Sequence, residues 1–145
     1  MSLRALGLPA LVAGLMAASG CGGSSEQQKV RSTLTRYEQA SARQDYAQLC
    51  DKVLSRALVA RLSRVGLPCQ QALRMGLGSV QAPKLEILKV KVMGPRALAL
   101  VRSSAVGQQA STDTIELVLD GSDWRLSALA RPGPEPPQRT RPPGD

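Results

Sequence analysis

Between Met75 and Lys84 the spacing of apolar side chains in this chain changes from every third or fourth residue to every second. A period near 3.6 buries one stripe of a helix, whereas a period of two buries one face of a strand. Helices must therefore come first and strands second. That order gives an α+β domain, not an alternating α/β one.

Three helices are predicted. The first runs from Glu26 to about Arg43, with Val30, Leu34, Tyr37 and Ala40 or Ser41 on one stripe and Lys29, Arg31, Arg36 and Arg43 elsewhere. Ser24 or Ser25 can cap it, and Gln28 stands at capping-box distance from Ser25. Asp45 is a good cap for a second helix, whose stripe is Leu49, Val53, Ala57, Leu58, Leu62 and Val65. That helix has a possible bend near Ser55 and stops at Gly66-Leu67-Pro68. A short third helix covers Cys69 to Met75 and gives out at Gly76 and Gly78.

Four strands follow: Lys84–Val92, Ala97–Arg102, Thr114–Asp120 and Trp124–Ala130. In the first, Leu88, Val90 and Val92 alternate with Lys89 and Lys91. Gly94-Pro95-Arg96 reads as a turn, Gly107–Thr112 as a polar connection, and Asp120-Gly121 as a hairpin. Connections this short predict an antiparallel meander.

The ends of the chain have a different character. Met1–Arg4 is basic, and Leu6–Ala18 is an apolar run of 13 residues, too short to span a bilayer, which takes about 20. Residues 1–20 therefore read as a secretory leader. Ala18-Ser19-Gly20-Cys21 resembles a bacterial lipobox, which implies a lipidated Cys21 and a stable membrane anchor. The family pattern has Leu, Val or Ile where this chain has Ala18. An ordinary cleaved leader with an unrelated Cys21 is the alternative. Gly22-Gly23-Ser24-Ser25 reads as a flexible tether, so that 21–25 link the anchor to a domain over 26–130. Residues 131–145 hold six of the ten prolines and read as a disordered tail.

Of three cysteines, lipidation of Cys21 leaves Cys50 and Cys69. In an exported chain an even remainder fits one disulfide, and two buried thiols are the other reading.

Composition removes several activities. The chain has no histidine, which excludes Ser-His-Asp and Cys-His hydrolases and any His-containing zinc site. Its aromatic residues are Tyr37, Tyr46 and Trp124 alone. A base-stacking surface for nucleic acid is thus not expected. The formal charge is +8, from 19 Lys and Arg against 11 Asp and Glu. Arg56, Arg61 and Arg64, with Lys89 and Lys91, are the natural footprint if the domain leans on an anionic membrane.

Several residue groups together resemble the nuclear transport factor 2-like (cystatin-like) domains, and among them uncharacterised bacterial lipoproteins. They are Val30, Leu34, Tyr37 and Ala40; Asp45, Leu49 and Cys50; Cys69; the Leu88–Val92 strand; and the ending Asp120-Gly121-Ser122-Asp123-Trp124-Arg125-Leu126. In such lipoproteins the paired cysteines and a final Gly…Trp-Arg-aliphatic strand recur. The resemblance implies a cone of two to three helices packed on a curved four-stranded antiparallel sheet. Tyr37, Glu86 and Trp124 are then the candidates to line its interior.

Such domains include enzymes and non-catalytic binding modules, and fold alone does not choose between them. The expected function is a membrane-anchored, non-catalytic envelope domain that binds an apolar small molecule or a protein. No catalytic residue, metal or cofactor is assigned. The alternative is an isomerase or cyclase, whose base would be Glu86 if it shares the inward face of Leu88 and Val90. Asp45 reads as a cap, Asp51 as a helix-surface charge and Asp113 as a loop residue. A Cys21→Ala chain is expected to leave the membrane fraction on cell fractionation, and retention there would sink the lipid anchor.

Overall fold

A computed structural model describes residues 22–132 of the 145-residue chain. The leader, Cys21 and residues 133–145 lie outside the described residues. The elements are α1 (Gly22–Ala42), α2 (Tyr46–Gln48) continuing as a π-helical turn (Leu49–Val53), α3 (Arg56–Arg64), α4 (Cys69–Leu77), β1 (Lys84–Met93), β2 (Arg96–Ala105), β3 (Gln108–Asp120) and β4 (Asp123–Pro132). The strands form one antiparallel sheet in sequence order, with the helices over one face.

α1 buries the expected stripe. Val30, Leu34 and Ala40 are fully buried and Tyr37 packs at the edge of the core. The helix begins at Gly22, so the Gly22–Ser25 segment read as a tether forms its first turn. Glu26, which follows that turn, accepts hydrogen bonds of 2.7 Å from Lys29 Nζ and from the indole N–H of Trp124. These two bonds, Lys29 first, hold the Glu26 carboxyl below its ordinary pKa.

α1 stops at Gln44, which takes a positive φ of 55° while Asp45 N donates back to Ala40 O. Asp45 then caps α2 as expected, accepting from Gln48 N at 2.9 Å. The second helix is broken at Leu54 and Ser55, where the chain turns extended. Leu54 bridges Leu126 of β4, and Ser55 N donates to Leu126 O. Ser55 Oγ restarts the helix by accepting from Leu58 N. The restart changes the helical phase. Leu49 and Val53 stay buried, Leu58 and Leu62 are half-buried, and Val65 is 76% exposed.

Arg56, the first residue of α3, clamps Asp120 with its backbone N–H and its guanidinium. That hydrogen bonding holds the Asp120 carboxyl below its ordinary value. A disulfide joins Cys50 to Cys69 with Cα atoms 6.1 Å apart, and it closes the α3 segment into a loop. Gly78 ends α4 where no side chain fits: an added Cβ would lie 2.4 Å from Arg74 O.

The inner face of the sheet carries Val90, Ala97, Ala99, Val101, Ile115, Leu117, Trp124 and Leu126. Two features differ from expectation. First, β1 carries a bulge between Ile87 and Lys89, which leaves Leu88 as the extra residue and 44% exposed. Leu85 and Ile87 point inward before it, and Val90 and Val92 after it. Second, residues 108–112 are not a connection but the first part of β3. The hairpin closes over Val106 and Gly107 alone, with Gly107 at φ 74°. Both strands thus run on past the apolar core, where polar side chains suit a half-wet surface.

Replacing Cys50 and Cys69 with Ser should cost about 3 kcal/mol, the chain-entropy value for closing a loop of this length. Urea unfolding of the oxidised and the substituted proteins measures the difference. Equal midpoints would show that the bridge does not constrain the unfolded chain.

Candidate functional site

The helical layer ends before the sheet does. Where α1 and α4 finish, the ends of β1, β2 and β3 enclose a cavity of about 200 Å³. Its apolar wall comes from Leu77, Val80, Pro83 and Leu85, each half-buried. Its polar wall includes Tyr37 and Ser41 from α1, with Ser103 and Ser111 from β2 and β3.

Burial pushes the Tyr37 phenol above its ordinary pKa, and the nearby Ser41 hydroxyl opposes the shift. Ser41 is only 9% exposed. Ser41 and Tyr37 do not meet in good hydrogen-bond geometry, and Ser41 Oγ is buried without a partner. An unsatisfied buried hydroxyl costs about 1–3 kcal/mol. Ser41 is a lining residue of the cavity, with its Oγ itself closed off from solvent.

On the opposite wall Ser111 Oγ donates to Asp113 Oδ2 at 2.6 Å. Ser103 Oγ lies 3.1 Å from Ser111 Oγ and 3.4 Å from Asp113 Oδ2. Ser103 pairs with Ser111 across β2 and β3, so strand register builds this cluster. Asp113 is a strand residue of half-buried character, not the loop residue the sequence suggested. The signal was present: Ser111, Asp113, Ile115 and Leu117 are one period-two series.

The other candidates divide. Tyr37 lines the cavity. Glu86 does not. The bulge at Leu88 reverses the parity of β1, so Glu86 is exposed on the outer face, in register with Arg102. Trp124 is 2% exposed and serves the core. It joins a shallow groove with Gln28 and Ser122 near the start of α1. Its partner Glu26 precedes Tyr37 by eleven residues, about 16 Å along a helix.

The basic residues fall on or beside the uncovered sheet face. Arg56 is engaged by Asp120, and Arg61 donates to Ser127 O. Arg61 and Arg64 share a shallow groove with Arg96, Glu116 and Val118. Lys89 and Lys91 are exposed on β1, in register with Leu100 and Leu98 of β2. Among the described residues no three His, Cys, Asp or Glu side chains gather as metal ligands. No described helix is long and apolar enough to cross a membrane.

No family model and no curated protein matches this chain. Solved structures do. One is an NTF2-like protein of unknown function from Shewanella baltica, with a TM-score of 0.55 and 14% identity over 76% of this chain and 97% of that one. A de novo designed NTF2 fold protein aligns with a TM-score of 0.49 and 18% identity, over 73% and 87% of the two chains. The chain thus has an α+β fold of the nuclear transport factor 2-like kind.

Because its neutral form is favoured by burial, Tyr37 should make stability fall as pH rises through the ordinary phenol value of 10.0. The sign follows from proton binding: above that pH the folded state holds the Tyr37 proton longer than the unfolded chain does. Tyr37→Phe should remove this part of the alkaline loss. Unfolding midpoints of both proteins at pH 8 to about 11 test it, and parallel curves would place Tyr37 in open solvent.

Proposed function

We propose that this chain is a membrane-anchored, non-catalytic envelope domain whose cavity at the ends of α1 and α4 binds a small molecule. The observation that carries this reading is the cavity of about 200 Å³ between the helix ends and the sheet, with one apolar and one polar wall. Pockets of this composition hold ligands by their apolar walls and orient them by a few polar groups. The Cys50–Cys69 disulfide supports an oxidising, extracytoplasmic compartment. The lipobox-like Ala18-Ser19-Gly20-Cys21 supports the anchor. An isomerase or cyclase reading rested on Glu86 as an interior base, and Glu86 faces away from the cavity.

Native mass spectrometry of the oxidised chain, extracted from membranes in mild detergent, tests the reading. Wild type should carry extra mass that is lost on denaturation, and Ser41→Phe, which fills the cavity, should carry none. A clean mass from wild type would favour a domain that meets other proteins instead.

A further inference from the structure

We infer that the sheet face left bare by the helices is a membrane-docking surface, which lays the domain against anionic phospholipid headgroups. This rests on the reading of the chain as membrane-anchored and adds an orientation to it.

Charge is divided unevenly between the two sides of the fold. Past the bulge, Lys89, Lys91 and Met93 alternate with the inward Val90 and Val92. On β2, Arg96, Leu98, Leu100 and Arg102 alternate with the buried Ala97, Ala99 and Val101. Arg61 and Arg64 of α3 join Arg96 in the groove over Val118 and Ala128. With Lys84, seven cations thus stand on or beside this face, against the carboxylates Glu86 and Glu116. The helical segments 22–53 and 69–77 carry six cations against four carboxylates. Arg56 and Arg125 do not belong to the footprint: Asp120 holds the first, and the second is turned onto the backbone oxygens of Asp51 and Leu54.

The cations flank an apolar strip. Leu98 stands in register between Lys91 and Glu116, and Leu100 between Lys89 and Thr114. Leu100, Met93 and the bulge residue Leu88 are all exposed. Headgroup phosphates suit the cations, and the boundary with the acyl chains suits the leucines. A second copy of the chain seated on the same face would set seven cations against seven. Nucleic acid would find no aromatic side chain among them on which to stack a base.

The face starts where the chain enters the fold. Leu119 N donates to Pro95 O, so the β1–β2 and β3–β4 turns lie side by side. Trp124 follows the second turn and holds Glu26 near the start of α1. Arg96 follows the first. An anchor ahead of Gly22 therefore tethers the same end of the domain at which the basic face begins.

Vesicle flotation of oxidised residues 22–145 tests the docking without the acyl group. This stretch holds every described element and the disulfide. Vesicles of phosphatidylcholine with and without phosphatidylglycerol are compared at about 0.1 M salt, where the Debye length is about 10 Å. Binding should require phosphatidylglycerol and weaken as salt rises. Each lost contact should cost about fivefold, so Arg64→Gln, Lys89→Gln and Lys91→Gln together should weaken it about a hundredfold. Arg36→Gln, Arg43→Gln and Lys52→Gln remove the same charge from the helical side and should weaken it far less. Thermal unfolding shows that each variant is folded. Equal losses in the two triple variants would reduce the effect to bulk charge and overturn the docking face. So would wild-type binding that ignores phosphatidylglycerol, or no binding at all. A dimer in vesicle-free sedimentation that the sheet-face variant abolishes would give the face to a second copy instead. None of these outcomes bears on the acyl anchor, which the Cys21→Ala fractionation decides.

Discussion

Burial of one stripe of α1 against the sheet is the interaction on which the rest depends. Val30, Leu34 and Ala40 leave solvent completely. α1 lies closest to the outer strands β1 and β4, and β2 turns the small, fully buried Ala97 and Ala99 toward the core between them. Burying a Val or Leu side chain stabilises by about 1.5–3 kcal/mol, so this stripe accounts for a large part of a small domain's stability. Every other attachment positions what is left over. Thr33 Oγ1 reaches Trp124 O at 3.0 Å, and Leu54 and Ser55 fasten the second helical segment to Leu126.

The site exists because the two layers differ in length. α1 turns away at Gln44, while β2 and β3 continue to the Val106-Gly107 turn. Inner-face positions beyond the helices therefore lose their apolar cover, and the sequence changes accordingly from Val101 to Ser103 and from Ile115 to Asp113 and Ser111. Residues that would be misplaced in a core become the polar wall of a cavity. The same physical boundary explains why the polar stretch after Gly107 looks like a loop in sequence and pairs as a strand in the fold.

Much of the architecture was legible because it rests on local chemistry. The switch in period, the Asp45 cap, the restart at Ser55 and the glycine turns each have a cause within a few residues. Non-local features were not legible in the same way. The bulge at Leu88 is set by how β1 registers on β2, and nothing in Ile87-Leu88-Lys89 alone announces it. It is this one inserted residue that moved Glu86 from the inside to the outside. Trp124 was correctly an inward residue of the last strand, but its hydrogen bond to Glu26 spans 98 positions and assigns it to the core instead of the cavity. Tyr37 was readable because helical spacing places it at the edge of a known stripe. Ser41 shares that stripe, but its lack of a partner belongs to the packed structure alone.

α1 also acts as a measuring rod. Gly22 and Tyr37 are fifteen residues apart on one unbroken helix, a separation of about 22 Å. The chain enters the fold beside Trp124, and the cavity opens near the helix's other end. On the proposed reading, an anchor ahead of Gly22 would hold the pole of the domain that carries Trp124, and the cavity beside Tyr37 would lie at the opposite pole, away from the point of attachment.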